Sequence, residues 1–148
     1  MALQRVEDPG SGVTWYCFVD LPASVRESPR PSSGFLHALI TRLGGASQAP
    51  FASLNLGSTV GDDPAAVEEN HRRLFNALGL ARSGVVSPHQ IHSAHVATVG
   101  RSHGGKVVPA TDALITNQVG IALLLRFADC LPVLFYDPIH HAVGLAHA

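Results

Sequence analysis

The sequence predicts an α/β chain in which several short strands combine with one amphipathic helix. Short apolar and β-branched runs recur along the chain, bounded by Gly, Pro, Asp or Ser, as expected of strands. One segment, Pro64–Leu78, has the apolar spacing and the terminal residues of a helix. The length of 148 residues suits one domain with a real core.

Composition excludes several classes of function. Charged residues make up 14% and hydrophobic residues 46% of the chain, and the net charge is −1, which favours neither nucleic acid nor an anionic membrane as a partner. The apolar runs Trp15–Val19 and Ile121–Leu125 are too short to span a bilayer. Met1–Gly12 does not have the pattern of a signal peptide. We therefore expect a cytoplasmic protein in which Cys17 and Cys130 are free thiols rather than a disulfide.

The first part of the chain predicts two strands separated by loops. Met1–Gly12 is mostly polar and is expected to be poorly ordered. Val13–Asp20 and the apolar run Phe35–Thr41 are the strand candidates, and the Pro-rich stretch Leu21–Ser33 between them is a loop. Ala46–Asp63 is a long irregular segment, and loops of that length are often functional.

The helix over Pro64–Leu78 is predicted from both of its ends. Asp63 suits the N-cap, Pro64 the first helical position and Gly79 the residue that ends the helix. One face is predicted to pack on a sheet, and it contains Val67, His71, Leu74, Phe75 and Leu78. The solvent face is expected to carry the ion pairs Glu68–Arg72 and Glu69–Arg73.

The chain after the helix is predicted to form further strands. Val85–Val99 is a strand candidate, and alternation along it would place His92 opposite His89 and His95, so that at most one or two of them share a site. Surface or hydrogen-bonded histidines are the alternative for His89 and His95. Arg101–Pro109 is a turn, and a hairpin at Asp137–Pro138 joins the last two of four short strands: Ala113–Thr116, Ile121–Phe127, Pro132–Tyr136 and Ala142–His147.

Three residues, His92, Cys130 and His147, form a donor set that suits zinc. One thiolate and two imidazoles leave a fourth tetrahedral position open, as catalytic zinc sites do. Their spacings of 38 and 17 residues match no zinc-finger pattern. The alternatives are an inert Cys130 and an ordinary histidine at position 147. Arg42, just before a Gly-Gly turn, could bind phosphate or carboxylate, or be a surface charge.

Several motifs in this order resemble the YfiH/YlmD-type purine nucleoside phosphorylase family, also called the multicopper polyphenol oxidase or laccase-domain family. The resemblance runs from about Phe35 to Ala148. The motifs are Thr41–Gly45, Ser53–Gly57, Asp62–Pro64, Glu68–Asn70, His89–Ser93, Asp112–Thr116, Ala128–Leu134 and Ala146–Ala148.

The resemblance implies a mixed β-sheet flanked by helices, with zinc held by His92, Cys130 and His147. It implies phosphorolysis of adenosine, inosine, guanosine and methylthioadenosine, and deamination of adenosine. The family pattern continues beyond this sequence, so residues 34–148 would be the N-terminal portion of such a domain, preceded by an extension, 1–33, with one strand. Arg42 and Asn55 are then candidates for binding substrate or phosphate. Asp112 and Asp129 are candidates for acid–base catalysis or for orienting a metal ligand.

Three other interpretations stay open. A cysteine hydrolase would use Cys130 as nucleophile with His92 or His147 as base. The chain could be an inactive fragment or an interaction module. A copper polyphenol oxidase is the third, although a multicopper centre needs more ligands than these motifs offer. The preferred nucleoside and the oligomeric state are not predicted.

Overall fold

The computed structural model describes residues 2–19 and 35–148, so the predicted loop Leu21–Ser33 lies outside the described residues. The chain divides into two compact units, 1–80 and 81–148. The strands and the α-helix are β1 (Leu3–Glu7), β2 (Thr14–Phe18), β3 (Leu39–Ile40), α1 (Pro64–Leu78), β4 (Val85–Pro88), β5 (Val96–Thr98), β6 (Val107–Val108), β7 (Ala113–Thr116), β8 (Ala122–Leu123), β9 (Pro132–Asp137) and β10 (Ala142–His147).

The first unit contains an antiparallel sheet in the order β1-β2-β3. The prediction that Met1–Gly12 is poorly ordered is wrong, because β1 pairs with β2 along its whole length. The hairpin turn between them is closed by Asp8, whose carboxylate accepts hydrogen bonds from the backbone N–H and the hydroxyl of Ser11. The polar residues near Asp8 therefore form a hairpin turn and do not indicate a disordered terminus.

Helix α1 has the predicted bounds. The Asp63 carboxylate accepts from the N–H of Ala65, and Gly79 ends the helix in the left-handed conformation at φ 66°. Glu69, rather than Glu68, is the partner of Arg72, and it also pairs with Arg73 as predicted. The buried residues of the helix are Val67, Asn70, Leu74, Phe75 and Leu78.

Asn70 joins the helix to the long loop before it. Its side chain is fully buried, and its amide group donates to Ser47 Oγ at 2.8 Å and to the carbonyls of Ser53 and Asn55 at 3.2 and 2.8 Å. Its carbonyl oxygen accepts from the N–H of Ala46 at 2.7 Å. Every polar group of this buried amide is thus satisfied by the loop, which explains an asparagine on an otherwise apolar helix face.

The second unit contains two sheets and their shared core. A mixed sheet runs β5-β7-β10-β9, in which only β5 and β7 are parallel, and a parallel sheet runs β6-β4-β8. The buried centre of the core is Val86, Val99, Leu114 and Leu125. The β9–β10 hairpin is formed as predicted.

Two predicted strands of this unit are too long. Val85–Val99 is not one strand but β4 and β5 joined by the loop 89–95. Within the predicted strand Ile121–Phe127, only the two residues of β8 are in a strand. Pro88 cannot donate a ladder hydrogen bond, and His92 has a φ of 60°, so an extended strand cannot continue there. The predicted turn Arg101–Pro109 contains a short 3₁₀ turn and β6.

The α/β class and the mixed sheet are confirmed, with a single α-helix in the described part of the chain. Within residues 2–19 and 35–148, no helix has the length and apolar character needed to cross a bilayer.

Candidate metal centre

Strand register in the second unit brings distant residues to one end of the mixed sheet. Ala146 pairs with Ala113, so the next row places His147 of β10 beside Asp112. The N–H of His147 donates to the Asp112 carbonyl at 2.8 Å, and on its other side His147 pairs with Pro132 of β9. A slip of one residue would turn His147 to the opposite face, so the register is what builds this part of the site.

The buried carboxylate of Asp112 shapes the loop that carries His92. Asp112 is 1% exposed. Its Oδ2 accepts from the N–H groups of Ile91 and Ser93 at 3.1 and 2.8 Å and from the Ser93 hydroxyl at 2.9 Å. Its Oδ1 accepts from the His92 N–H at 3.0 Å. These bonds hold His92 in the left-handed conformation that few non-glycine residues adopt.

The same carboxylate orients the second histidine. Oδ1 of Asp112 lies 3.0 Å from Nδ1 of His147, whose side chain is only 7% exposed. Burial by itself would raise the pKa of Asp112, but hydrogen bonds from Ser93, His147 and Ile91 outweigh it and hold that pKa well below its usual range. A charged Asp112 favours the His147 tautomer with the proton on Nδ1, which leaves the lone pair on Nε2 for a ligand.

Cys130 reaches the site from the start of β9. Leu131 and Ala148 exchange two backbone hydrogen bonds of 2.8 and 3.1 Å, which extend the β9–β10 pairing beyond Pro132 and His147. Cys130 precedes Pro132 by two residues, so its side chain and that of His147 are diagonal neighbours on one face. The thiol is free and half-buried.

The ligand atoms of His92, Cys130 and His147 all lie within 4.8 Å of one another. The two imidazole rings meet edge to face with centroids 4.8 Å apart, and the Phe127 ring lies 5.5 Å from that of His147. Donor atoms that share one tetrahedral zinc ion lie about 3.5 Å apart, so the side chains need only a small adjustment to converge. Two imidazoles and a thiolate suit zinc or copper, whereas magnesium and calcium prefer oxygen ligands.

The other histidines of the loop lie outside this cluster. The backbone of His89 pairs with Val108 and Thr111, and its side chain is exposed. Nδ1 of His95 lies 3.0 Å from the hydroxyl of Thr111. Asp129, next to Cys130, is exposed to solvent.

Arg42 and Asn55 lie in the first unit. The Arg42 guanidinium donates from Nε to the Ala52 carbonyl at 2.7 Å and contacts the same oxygen through Nη2. The Asn55 amide donates to Asp62 at 2.8 Å and accepts from the N–H of Gly57 at 2.9 Å. Both side chains therefore hydrogen-bond the loop that contains them, and their binding of substrate or phosphate stays a prediction.

Two features were missed by sequence reasoning: the buried Asn70 and the contact between Gln90 and Arg126. Asn70 could have been found as a polar residue between Val67 and Leu74 on the apolar face of α1. The amide of Gln90 and the backbone of Arg126 form two hydrogen bonds, and no local pattern signals this contact.

Residues 36–148 match the family model described as multi-copper polyphenol oxidoreductase laccase. The chain belongs to this family. It is 45% identical over 126 residues to a purine nucleoside phosphorylase of Streptomyces griseus, covering 84% of this chain and 51% of the relative. It is 48% identical over 109 residues to one of Corynebacterium glutamicum, covering 73% and 44%.

Solved structures agree with the sequence relatives. The crystal structure of YlmD from Geobacillus stearothermophilus superposes with a TM-score of 0.73 at 42% identity, covering 75% of this chain and 44% of that one. This laccase-family chain spans about half the length of the curated relatives that it matches.

Proposed function

We propose that this chain provides the zinc site of a purine nucleoside phosphorylase, with His92, Cys130 and His147 as the metal ligands. The observation that carries the proposal is the convergence of these three donor groups within 4.8 Å beside a buried carboxylate that orients one of them. The names of the relatives supply the substrate class, purine nucleosides with phosphate.

The role of Asp112 follows from its contacts. Asp112 acts by positioning, because five hydrogen bonds engage both of its oxygens and none is left to exchange a proton with substrate. Asp129 is the exposed carboxylate beside Cys130 and is the candidate for proton transfer. Arg42 and Asn55 are the candidates for phosphate and substrate binding.

A zinc ion in this site would supply a Lewis acid that orients phosphate or lowers the pKa of a bound water toward neutrality. The second of these properties suits the deamination of adenosine, which we include in the proposal. The side chains determine access: His92 is exposed, while His147 and Cys130 are partly covered, so a ligand would approach from the His92 side.

The test measures metal content and phosphate-dependent release of hypoxanthine from inosine, with ammonia release from adenosine as the second assay. We expect one zinc per chain, and loss of both zinc and activity in Cys130→Ala and His92→Ala. His89→Ala is the matched control, because it removes an exposed imidazole from the same loop. A Cys130→Ala protein that keeps zinc and activity, or a wild-type protein without either, would overturn the proposal.

The hydrogen bond between Asp112 and His147 also favours a second candidate, a cysteine hydrolase. Cys130, His147 and Asp112 would then act as nucleophile, base and orienting carboxylate. This candidate requires hydrolytic activity that survives metal chelation and stoichiometric alkylation of Cys130 that substrate prevents. Copper, named in the family description, would be detected by the same metal analysis.

A further inference from the structure

The side chain of Gln90 forms a two-point contact with the backbone of Arg126, which we call the Gln90–Arg126 clip. The amide nitrogen donates to the Arg126 carbonyl at 2.8 Å, and the Arg126 N–H donates to the amide oxygen at 3.0 Å. Gln90 thereby reproduces, with a side chain, the reciprocal bonding of a paired β-residue.

The clip lies where backbone pairing between the two segments stops. The N–H of Leu124 donates to the Val86 carbonyl at 2.9 Å, continuing the β4–β8 pairing by one residue. Pro88 has no N–H to extend that ladder. The Arg126 guanidinium instead donates to the Pro88 carbonyl at 3.2 Å, and the Gln90 amide resumes the pairing at Arg126.

Each end of the clip leads to a different metal ligand. Gln90 precedes His92 by two residues, and Arg126 precedes Cys130 by four. Asp112 joins the His92 loop to His147, and the Leu131–Ala148 pairing joins the Cys130 segment to the strand of His147. The clip ties the His92 loop directly to the Cys130 segment.

We propose that Gln90 is a positioning residue that sets the separation between the His92 imidazole and the Cys130 thiol, and so determines the metal affinity of the site. This inference rests on the proposed metal function of the two residues. The effect is on affinity rather than on chemistry, since both polar atoms of the Gln90 amide form hydrogen bonds with the protein backbone.

The test compares Gln90→Met with Gln118→Met. Methionine keeps the length of the side chain and removes both hydrogen bonds. Gln118 is the matched control, because its amide oxygen accepts a backbone N–H, that of Arg101, at 2.8 Å in the same unit but outside the clip. Zinc dissociation constants are measured by competition with a chromophoric chelator, well below the melting temperature of each protein.

We expect Gln90→Met to bind zinc about tenfold or more weakly, the range typical of residues that orient metal ligands. Gln118→Met should bind like wild type. With cobalt as a spectroscopic probe, Gln90→Met should lose intensity in the thiolate charge-transfer band. A role in stability alone would lower the melting temperature and leave both readouts unchanged. If Gln90→Met does not fold, Gln90→Asn, which shortens the clip by one methylene, should show an intermediate loss of affinity.

The outcomes separate the two proposals. Wild-type protein that binds no zinc would overturn the metal site itself. Wild-type protein that binds zinc, together with a Gln90→Met or Gln90→Asn protein of equal affinity and equal cobalt spectrum, would overturn the role of Gln90 alone.

Discussion

Asp112→Asn is the substitution that most directly tests how the site is held together. The Oδ2 side of Asp112 faces three donors, from Ile91 and Ser93, and the Oδ1 side faces the His92 N–H and Nδ1 of His147. An asparagine would keep its oxygen toward the three donors. Its NH₂ group would then meet the His92 N–H, donor against donor, and would favour the His147 tautomer whose proton lies on Nε2.

The expected magnitude follows from these contacts. A buried N–H left without an acceptor costs roughly 1–3 kcal/mol, and bonds to a charged acceptor are worth more than bonds to a neutral one. We therefore expect the free energy of unfolding of the metal-free protein to fall by about 2–4 kcal/mol. The shifted tautomer places a proton on the nitrogen that would bind metal, so zinc affinity should fall by about 10–100-fold. Denaturant unfolding and chelator competition measure the two quantities.

Asp137→Asn is the matched control. Asp137 lies in the same unit and also accepts two backbone N–H groups and Nδ1 of a histidine, His140, but at the opposite end of the β9–β10 hairpin. The Asp137→Asn protein should bind zinc with the same affinity as wild type. An Asp112→Asn protein with wild-type stability and wild-type zinc affinity would refute the role assigned to this carboxylate.

Three further predictions concern both units. Asn70→Ala should lower the free energy of unfolding by about 2–4 kcal/mol, because it leaves loop donors and acceptors unpaired, whereas Asn76→Ala on the exposed side of the same helix should have little effect in denaturant titrations. Iodoacetamide should label Cys130 in the metal-free protein and zinc should prevent it, while Cys17, whose pKa burial raises, should react only after unfolding; equal labelling of both thiols, read by peptide mass spectrometry, would contradict this. Hydrogen bonds from two arginines lower the pKa of Glu69 from 4.5 to about 2. Its stabilising effect should therefore be present above pH 4.5 and be lost as the pH falls to about 2, so Glu69→Gln should melt below wild type at pH 7 and level with it at pH 2.

Elements determined by neighbouring residues were predictable from the sequence. The bounds of α1 follow from Asp63, Pro64 and Gly79, each of which acts within one helical turn. The β9–β10 hairpin follows from the turn at Asp137 between two apolar runs. In both cases the deciding interactions span a few residues, which is the range that a sequence pattern reports.

Elements that depend on residues far apart in the chain could not be predicted from the sequence. The loop 89–95 replaces a predicted strand because Asp112, some twenty positions further on, binds its backbone N–H groups. The β-branched residues near Val85 and Val99 favour strands at both ends of this segment, where β4 and β5 form. Between them Pro88 interrupts the ladder, and the hydrogen bonds to the buried carboxylate fix the loop that follows. Likewise, only tertiary structure shows that Gln90 meets Arg126.

The site and the core of the second unit depend on the same strand register. Leu114 pairs with Leu145 in the buried core, and two rows further along the same strands Asp112 stands beside His147. The apolar pair fixes the register, since a slip of β10 by one residue would turn Leu145 away from the core. That register in turn determines which histidine nitrogen faces the ligand position. Substitutions in the β7–β10 core should therefore weaken metal binding without touching a ligand, to the extent that they loosen this pairing.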